Sequence, residues 1–209
     1  MADHYFSRTP GVAARLREVE IELGGRRLAM RTSSGVFSGD GLDHATRHLL
    51  QRLDDEAPSS THPAPARVLD LGCGWGPIAL ALAAHWPAAE VWAVDVNERA
   101  LELTERNAER HDLPVTTSLP EDVPSDLRFD AIWSNPPIRI GKQALHELLL
   151  LWLERLADDG SMTMVVGRQL GADSLQRWLD EQGWPTERLG SAKGFRLLRT
   201  RRPAPTPAP

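Results

Sequence analysis

The sequence predicts an α/β chain, a doubly wound and mostly parallel sheet with helices on both faces. Three observations predict it. From residue 67 onward, short apolar runs alternate with helix-forming stretches, the pattern that a parallel sheet with crossover helices requires. A glycine-rich turn, Asp70-Leu71-Gly72-Cys73-Gly74-Trp75-Gly76, joins the first run to a helix. Two further polar signatures, Asp95 and Asn135-Pro136-Pro137, each follow a later run. Ligands of such sheets sit beyond the carboxyl ends of the strands, so all three are expected on one edge.

The elements follow in order. Val19–Leu23 and Arg27–Met30 flank Gly24-Gly25, a hairpin signal. Gly35-Val36-Phe37-Ser38 and a helix from about Asp43 to Leu53 come next, then a connector over 54–66 rich in Asp, Ser, Pro and Ala. Val68–Leu71 has the length and punctuation of a buried strand. Pro77 opens the next helix at a position where proline is tolerated. Val91–Val94 is a strand closed by Asp95, and Glu98–Arg110 is a helix with Asn97 as its N-cap. Val115–Thr117 is a weak strand and Ala131–Ser134 a clear one. Lys142–Leu156 reads as a leucine-rich helix, apolar nearly all round at 148–153 and so expected to be well buried. Asp158-Asp159-Gly160 reads as a turn into strand Met162–Val166. Ser174–Gln182 is a helix ended by Gly183. Thr186–Leu189 and Phe195–Leu198 form an antiparallel hairpin, and Pro203–Pro209 reads as a disordered tail.

Composition excludes several classes. With 209 residues, 41% hydrophobic and 25% charged, the chain reads as a single domain over 1–202 that buries roughly 70% of its unfolded surface. No run approaches the ~18 apolar residues of a membrane span, and the polar start lacks a signal-peptide core. One cysteine forbids an intrachain disulfide, which fits a reducing cytoplasm. The net charge of −5 gives no global attraction for nucleic acid, so RNA contact needs a local patch. Candidates are Arg26, Arg27 and Arg31, then Arg139 and Lys142, then Arg196, Arg199, Arg201 and Arg202; only the middle pair stands beside a motif, and the others read as solvated faces. His44 and His48 are four apart on a helix but lack a third ligand, so no metal is expected.

The glycine turn lets backbone approach a ligand where a side chain would block it. A dinucleotide fingerprint wants its third glycine at 77, which is Pro77 here, and a pyrophosphate sits badly with Asp70. An acid there suits a cation such as the ammonium of S-adenosylmethionine. Asp95, at a strand end, can accept both hydroxyls of a ribose. Cys73 reads as a small packing residue in the cofactor loop. Of the seven tryptophans, only Trp75 stands near the cofactor.

Asn135-Pro136-Pro137 suits a planar nitrogen. An exocyclic amine conjugated to a ring is a poor nucleophile because its lone pair is delocalised. Accepting its two hydrogens, at the Asn135 side-chain oxygen and the Pro136 carbonyl, draws the nitrogen toward tetrahedral geometry. Arg139 and Lys142 follow directly and face what Asn135 grips, where they can hold a phosphate or a base edge.

These motifs resemble the class I S-adenosylmethionine-dependent methyltransferases, and within them the ribosomal RNA guanine-N2 methyltransferases of the C type. The resemblance covers about residues 5–200. It is carried by Tyr5-Phe6-Ser7, Gly35–Ser38 with Asp43 and Thr46, Val68–Pro77, Asp95–Ala100, Ser134–Lys142, Gly171–Leu175 and Gly194-Phe195-Arg196. It implies a Rossmann-like seven-stranded sheet whose last strand is antiparallel. It implies cofactor contacts at Asp70, Gly72, Cys73, Gly74, Gly76, Asp95, Val96 and Leu119, with Phe37 and Thr46 close by. Asn135, Pro136 and Pro137 would act on the target nitrogen, with Ile138, Arg139 and Lys142 on the substrate. Three features depart from the family. The 209 residues hold no counterpart of a duplicated amino-terminal half. Leu119 stands where Asn or Asp is frequent, and Ile138 where an aromatic ring stacks on the base. The expected activity is N2 methylation of guanine in ribosomal RNA. A protein glutamine amide, which offers the same planar nitrogen, and a catalytically silent cofactor-binding subunit are the alternatives.

Overall fold

A computed structural model describes residues 8, 13–23, 26–38, 41–56, 64–192 and 194–203. The Gly24-Gly25 turn, most of the connector (57–63), Tyr5–Ser7 and most of the tail (204–209) lie outside the described residues.

Two strands, β1 (Leu16–Leu23) and β2 (Arg26–Ser33), pair antiparallel as a separate sheet. Then come α1 (His44–Asp54), β3 (Arg67–Leu71), α2 (Pro77–His85), β4 (Glu90–Val94), α3 (Glu98–Arg110), β5 (Thr116–Ser118) and β6 (Phe129–Ser134). The chain continues through α4 (Lys142–Leu153), β7 (Leu156–Gly167), α5 (Ala172–Glu181), β8 (Thr186–Ala192) and β9 (Phe195–Arg201). The main sheet has the order β5-β4-β3-β6-β7-β9-β8. Strands β3 to β7 are parallel, and β9 runs antiparallel between β7 and β8. This is the seven-stranded arrangement that the sequence led us to expect.

Strand alternation builds two cores. Val68, Val91, Val165 and Leu197 face α1, α2 and α3, where Leu49, Leu80 and Leu103 meet them. Leu69, Ile132, Met164 and Leu198 face α4 and α5, where Leu149, Trp152 and Leu179 meet them. The outlying hairpin joins the first core through Ile21, Leu28 and Met30. Buried Asn107 of α3 docks it. Its Oδ1 accepts from the Arg31 amide at 2.7 Å, and its Nδ2 donates to the Arg31 and Trp75 carbonyls, each at 2.8 Å.

Two expectations need correction. The leucine-rich helix ends at Leu153 rather than 156, because Leu156 pairs with Phe129 as the first residue of β7. Its burial is one-sided, since Leu145, Leu149, Trp152 and Leu153 are buried while Leu151 is 56% exposed. Asp158-Asp159-Gly160 is part of β7, in an irregularity where the partner register advances from Phe129↔Leu156 to Ala131↔Ser161. A Cβ at Gly160 would lie 2.8 Å from the Phe129 carbonyl oxygen, so only glycine fits there. Among the described residues, no helix is long and apolar enough to cross a membrane.

Candidate active site

The chain leaves β3 still bonded to β4: the Gly72 and Cys73 amides donate to the Val94 carbonyl at 2.8 and 3.1 Å. It then coils through positive φ at Gly72, Gly74 and Gly76 (77°, 59° and 91°), a region costly to residues with a Cβ. Asp95 fastens the coil from the end of β4. Its two oxygens accept from the Gly74 amide at 3.0 Å and the Asn97 amide at 2.9 Å. Burial pushes this carboxyl up, against the pull of the Asn97, Gly74 and Val96 amides. Asn97 caps α3, as its position foretold.

Beyond the strand ends lies a cavity of about 480 Å³. Gly72, Gly74, Asp95, Val96 and Pro120 line it, together with Asn135, Pro136, Pro137, Ile138 and Arg139. Phe37 and Asp43 reach it from the segment before α1, and Gly167, Leu170 and Phe195 from the β7–β9 side. A small pocket adjoins it, sharing Phe37, Asp43, Gly72, Gly74 and Asn135 as walls and adding Thr46, Cys73 and Trp75. The three expected strand ends do meet.

The residues fit S-adenosylmethionine. Apart from its chain neighbours, a Cβ at Gly72 would meet no described residue within 4 Å, and Gly72 lines the cavity, so the space beside that backbone belongs to it. The Asp95 oxygens take the Gly74 and Asn97 amides and draw the Val96 amide as well, and a carboxylate has about four acceptor sites, so room remains for a ribose hydroxyl. Val96 and Pro120 add apolar surface suited to a nucleobase.

Several expected site residues stand elsewhere. Asp70 is fully buried and is not a wall of the cavity. Its Oδ2 accepts from the Ala79 amide at 2.9 Å, in the first turn of α2, and among the described residues its Oδ1 has no partner. Burial, compounded by Asp95, pushes the Asp70 carboxyl well above the usual range. The acid therefore anchors the helix behind the loop instead of meeting a ligand ammonium directly. Gly76 also faces inward, with its missing Cβ 2.9 Å from Thr104. Cys73 is buried against Thr104, whose hydroxyl lies 3.5 Å from Sγ, and burial pushes its thiol up. It is a packing residue. The Leu119 carbonyl is occupied by the Asp122 amide and the Ser118 hydroxyl, and its neighbour Pro120 lines the cavity instead. Lys142 is exposed at the start of α4, outside the cavity lining. Trp75 is buried and touches only the small pocket.

The carboxyl-terminal arginines are spent on structure. Arg196 pairs with Asp173 at 3.3 Å, and Arg201 with Glu187 at 3.1 Å. Arg202 donates to the Leu156 carbonyl at 2.7 Å. Arg199 is bonded to Glu56 and to Thr163, and burial pulls its guanidinium down to about 10. Among the described residues, no group of three or more metal-ligating side chains occurs.

Asn135 carries the most specific geometry. Its Nδ2 donates to Thr46 Oγ1 at 3.0 Å and lies 3.4 and 3.5 Å from the two oxygens of Asp43. No described group donates to its Oδ1, and the residue lines the cavity. Next to it, Pro137 (φ −75°, ψ 71°) makes an inverse γ-turn. The Ile138 amide donates to the Pro136 carbonyl at 2.8 Å, leaving that oxygen a second lone pair. Sequence reasoning gave Asp43 no role in the site and read it only as the approximate start of a helix. Gly167 and Leu170 carried no local signal at all, because β7 reaches the site only through the sheet order.

Comparisons with known proteins place the chain in a family. The profile of the methyltransferase small domain family matches residues 27–199. The uncharacterized protein YbxB of Bacillus subtilis is 30% identical over 206 residues, covering 97% of this chain and all of that one. The release factor glutamine methyltransferase of Geobacter sulfurreducens is 38% identical over 73% of this chain. Ribosomal RNA small subunit methyltransferase C of Ectopseudomonas mendocina is 31% identical over 93%. The chain spans only 55% and 57% of the lengths of those two. In fold, the 16S rRNA N2 G1207 methyltransferase of T. thermophilus, solved with AdoMet and guanosine, superposes with a TM-score of 0.76 at 24% identity. The match covers 92% of this chain and 52% of that one. A family profile spanning most of the sequence, and a glycine cradle of the shape its cofactor needs, lead to one conclusion: the chain belongs to the methyltransferase small domain family and is an S-adenosylmethionine-dependent methyltransferase.

Proposed function

We propose that the chain methylates a conjugated nitrogen, the exocyclic N2 of guanine in ribosomal RNA, and works in the cytoplasm. The observation that carries the reading is the Asn135 amide, turned so that its nitrogen is occupied by Thr46 and its oxygen is left to accept. With the Pro136 carbonyl beside it, this makes two acceptors at the end of β6, which match the two hydrogens of a primary amine or amide. S-adenosylmethionine supplies a methyl group on a positively charged sulfur. Asn135 and Pro136, by taking both N–H bonds, would bend the nitrogen out of conjugation and free its lone pair. The apolar walls at Pro136, Pro137 and Ile138 exclude water from that nitrogen. The surplus proton leaves to solvent.

Charge at the rim supports RNA. Arg139 lines the cavity, and exposed Lys142 and Arg168 follow the ends of β6 and β7. Cations so placed meet phosphates flanking a base held at Asn135. A second reading, methylation of a glutamine amide in a protein, is favoured by the net charge of −5 and by the likeness to a release factor methyltransferase. Incubation with isotope-labelled cofactor and either ribosomal RNA or a release factor separates the two. Label recovered as N2-methylguanosine is expected; label in a glutamine amide establishes the second reading, and label in neither refutes both.

A further inference from the structure

We infer that Asp43 is a positioning residue that locks the Asn135 amide in its working orientation, with Thr46 as the intermediate. The inference rests on the nitrogen-methylation reading and deepens it. Asp43 precedes α1 as its N-cap, and Oδ1 accepts from the Ala45 and Thr46 amides at 2.9 and 3.1 Å. Capping needs only that one oxygen. The second, Oδ2, takes the Thr46 hydroxyl proton at 2.5 Å. A hydroxyl has one proton, so with that proton committed, Thr46 Oγ1 can only accept, and it accepts from Asn135 Nδ2 at 3.0 Å. Both Asp43 oxygens lie near the same nitrogen, at 3.4 and 3.5 Å.

Three acceptors therefore face one end of the amide. A flipped Asn135 would set its carbonyl oxygen against a carboxylate and a hydroxyl with no proton to offer. Without Asp43, Thr46 could donate, and either orientation would be satisfied. The flipped amide presents NH₂ to the substrate and cannot accept from an amine. Asp43 thus removes an unproductive state of a group that touches the substrate, although it need make no contact with the target nitrogen itself.

The test uses the full chain and three variants. Asp43→Asn keeps a helix cap, because Asn caps as well as Asp, but replaces one acceptor by a donor. Thr46→Val removes the intermediate, and Thr46→Ser restores it. Asp43→Asn and Thr46→Val are expected to lower kcat by about tenfold or more, with the thermal midpoint, cofactor affinity and KM for the methyl acceptor little changed. Thr46→Ser is expected to recover most of the rate. A second readout is exchange of the Asn135 side-chain amide protons by NMR, expected to be slow in the parent and fast in Asp43→Asn and Thr46→Val. Parent-like kcat in Asp43→Asn, or failure of Thr46→Ser to recover what Thr46→Val loses, overturns the inference. Should the parent itself methylate neither RNA nor glutamine, the functional reading fails. The amide exchange then decides the lock alone, equal exchange in parent and variants refuting it.

Discussion

Two glycines of one turn should fail in different ways when given a methyl group. Gly72 and Gly76 both sit at positive φ, 77° and 91°, so alanine at either costs about 1–2 kcal/mol of backbone strain. At Gly76 the new Cβ also lands 2.9 Å from Thr104 Cγ2 and Oγ1 and 3.2 Å from Leu80 Cδ1. Thr104 cannot easily retreat, being fully buried and donating to the Gly74 carbonyl at 3.1 Å. Overpacking adds roughly 1–3 kcal/mol, for a total of about 2–5. At roughly 2–4 °C per kcal/mol for a chain of this size, the thermal midpoint of Gly76→Ala should fall by about 4–20 °C. The folded fraction should still bind cofactor within about threefold of the parent. At Gly72 no described residue other than its chain neighbours lies within 4 Å of the added carbon, so stability falls only by the strain, about 2–8 °C. That carbon instead occupies space meant for ligand, and a clash of roughly 1–3 kcal/mol weakens binding by about 5- to 150-fold. Circular dichroism melts and calorimetric titration with S-adenosylhomocysteine measure both quantities. Parent-like affinity in Gly72→Ala, with lost affinity in well-folded Gly76→Ala, would refute the assignment of these two roles.

Other consequences concern charge and chemistry. Asn135→Ala should cut methyl transfer at least tenfold, about 1.4 kcal/mol, while titration finds cofactor affinity nearly unchanged. Asp70 has its carboxyl raised by burial, so its contribution to stability is fully present below the unfolded value of about 3.9 and is lost as pH rises through the folded value. Asp70→Asn should therefore gain thermal stability relative to the parent between pH 5 and pH 8, and a difference that is flat or falls with pH contradicts this. Arg139→Glu and Lys142→Glu should each weaken RNA binding and lower the salt-dependence slope by about one, measured by filter binding at several ionic strengths. Arg199→Ala should leave RNA binding alone and cost roughly 1–2 kcal/mol in urea melts, because Glu56 loses its more buried partner but keeps Arg52 at 3.5 Å.

What was legible in the sequence was whatever local chemistry decides. The Asn97 cap and the span of α3 were readable because Asn97 marks the start and strong helix formers fill the stretch to Arg110. The glycine turn, Asp95 and Asn135 were readable as strand-end residues, and the sheet brings them to one cavity. What failed was set by distant contacts. Nothing in the leucine run marks Leu153 as a helix end; the pairing of Leu156 with Phe129 sets it. Asp70 looked like a ligand contact because its type and place in the turn suit a cation, yet its side chain turns toward Ala79. Whether a strand-end acid points over or under the loop is not written in its neighbours. Asp43 could be read as the start of a helix but not as the partner of a residue 92 positions away. The arginines near the end looked like a solvated basic face, and only the fold revealed the carboxylates and carbonyls that hold them.

A crystal structure with S-adenosylhomocysteine, refined at a resolution that distinguishes amide orientation by its contacts, tests the account most directly. The nucleoside should lie along Gly72 and Gly74 with a ribose hydroxyl on Asp95, and Asn135 should keep its nitrogen on Thr46 with its oxygen open to the cavity. A ligand bound elsewhere, or an Asn135 turned to close its oxygen against α1, would contradict it.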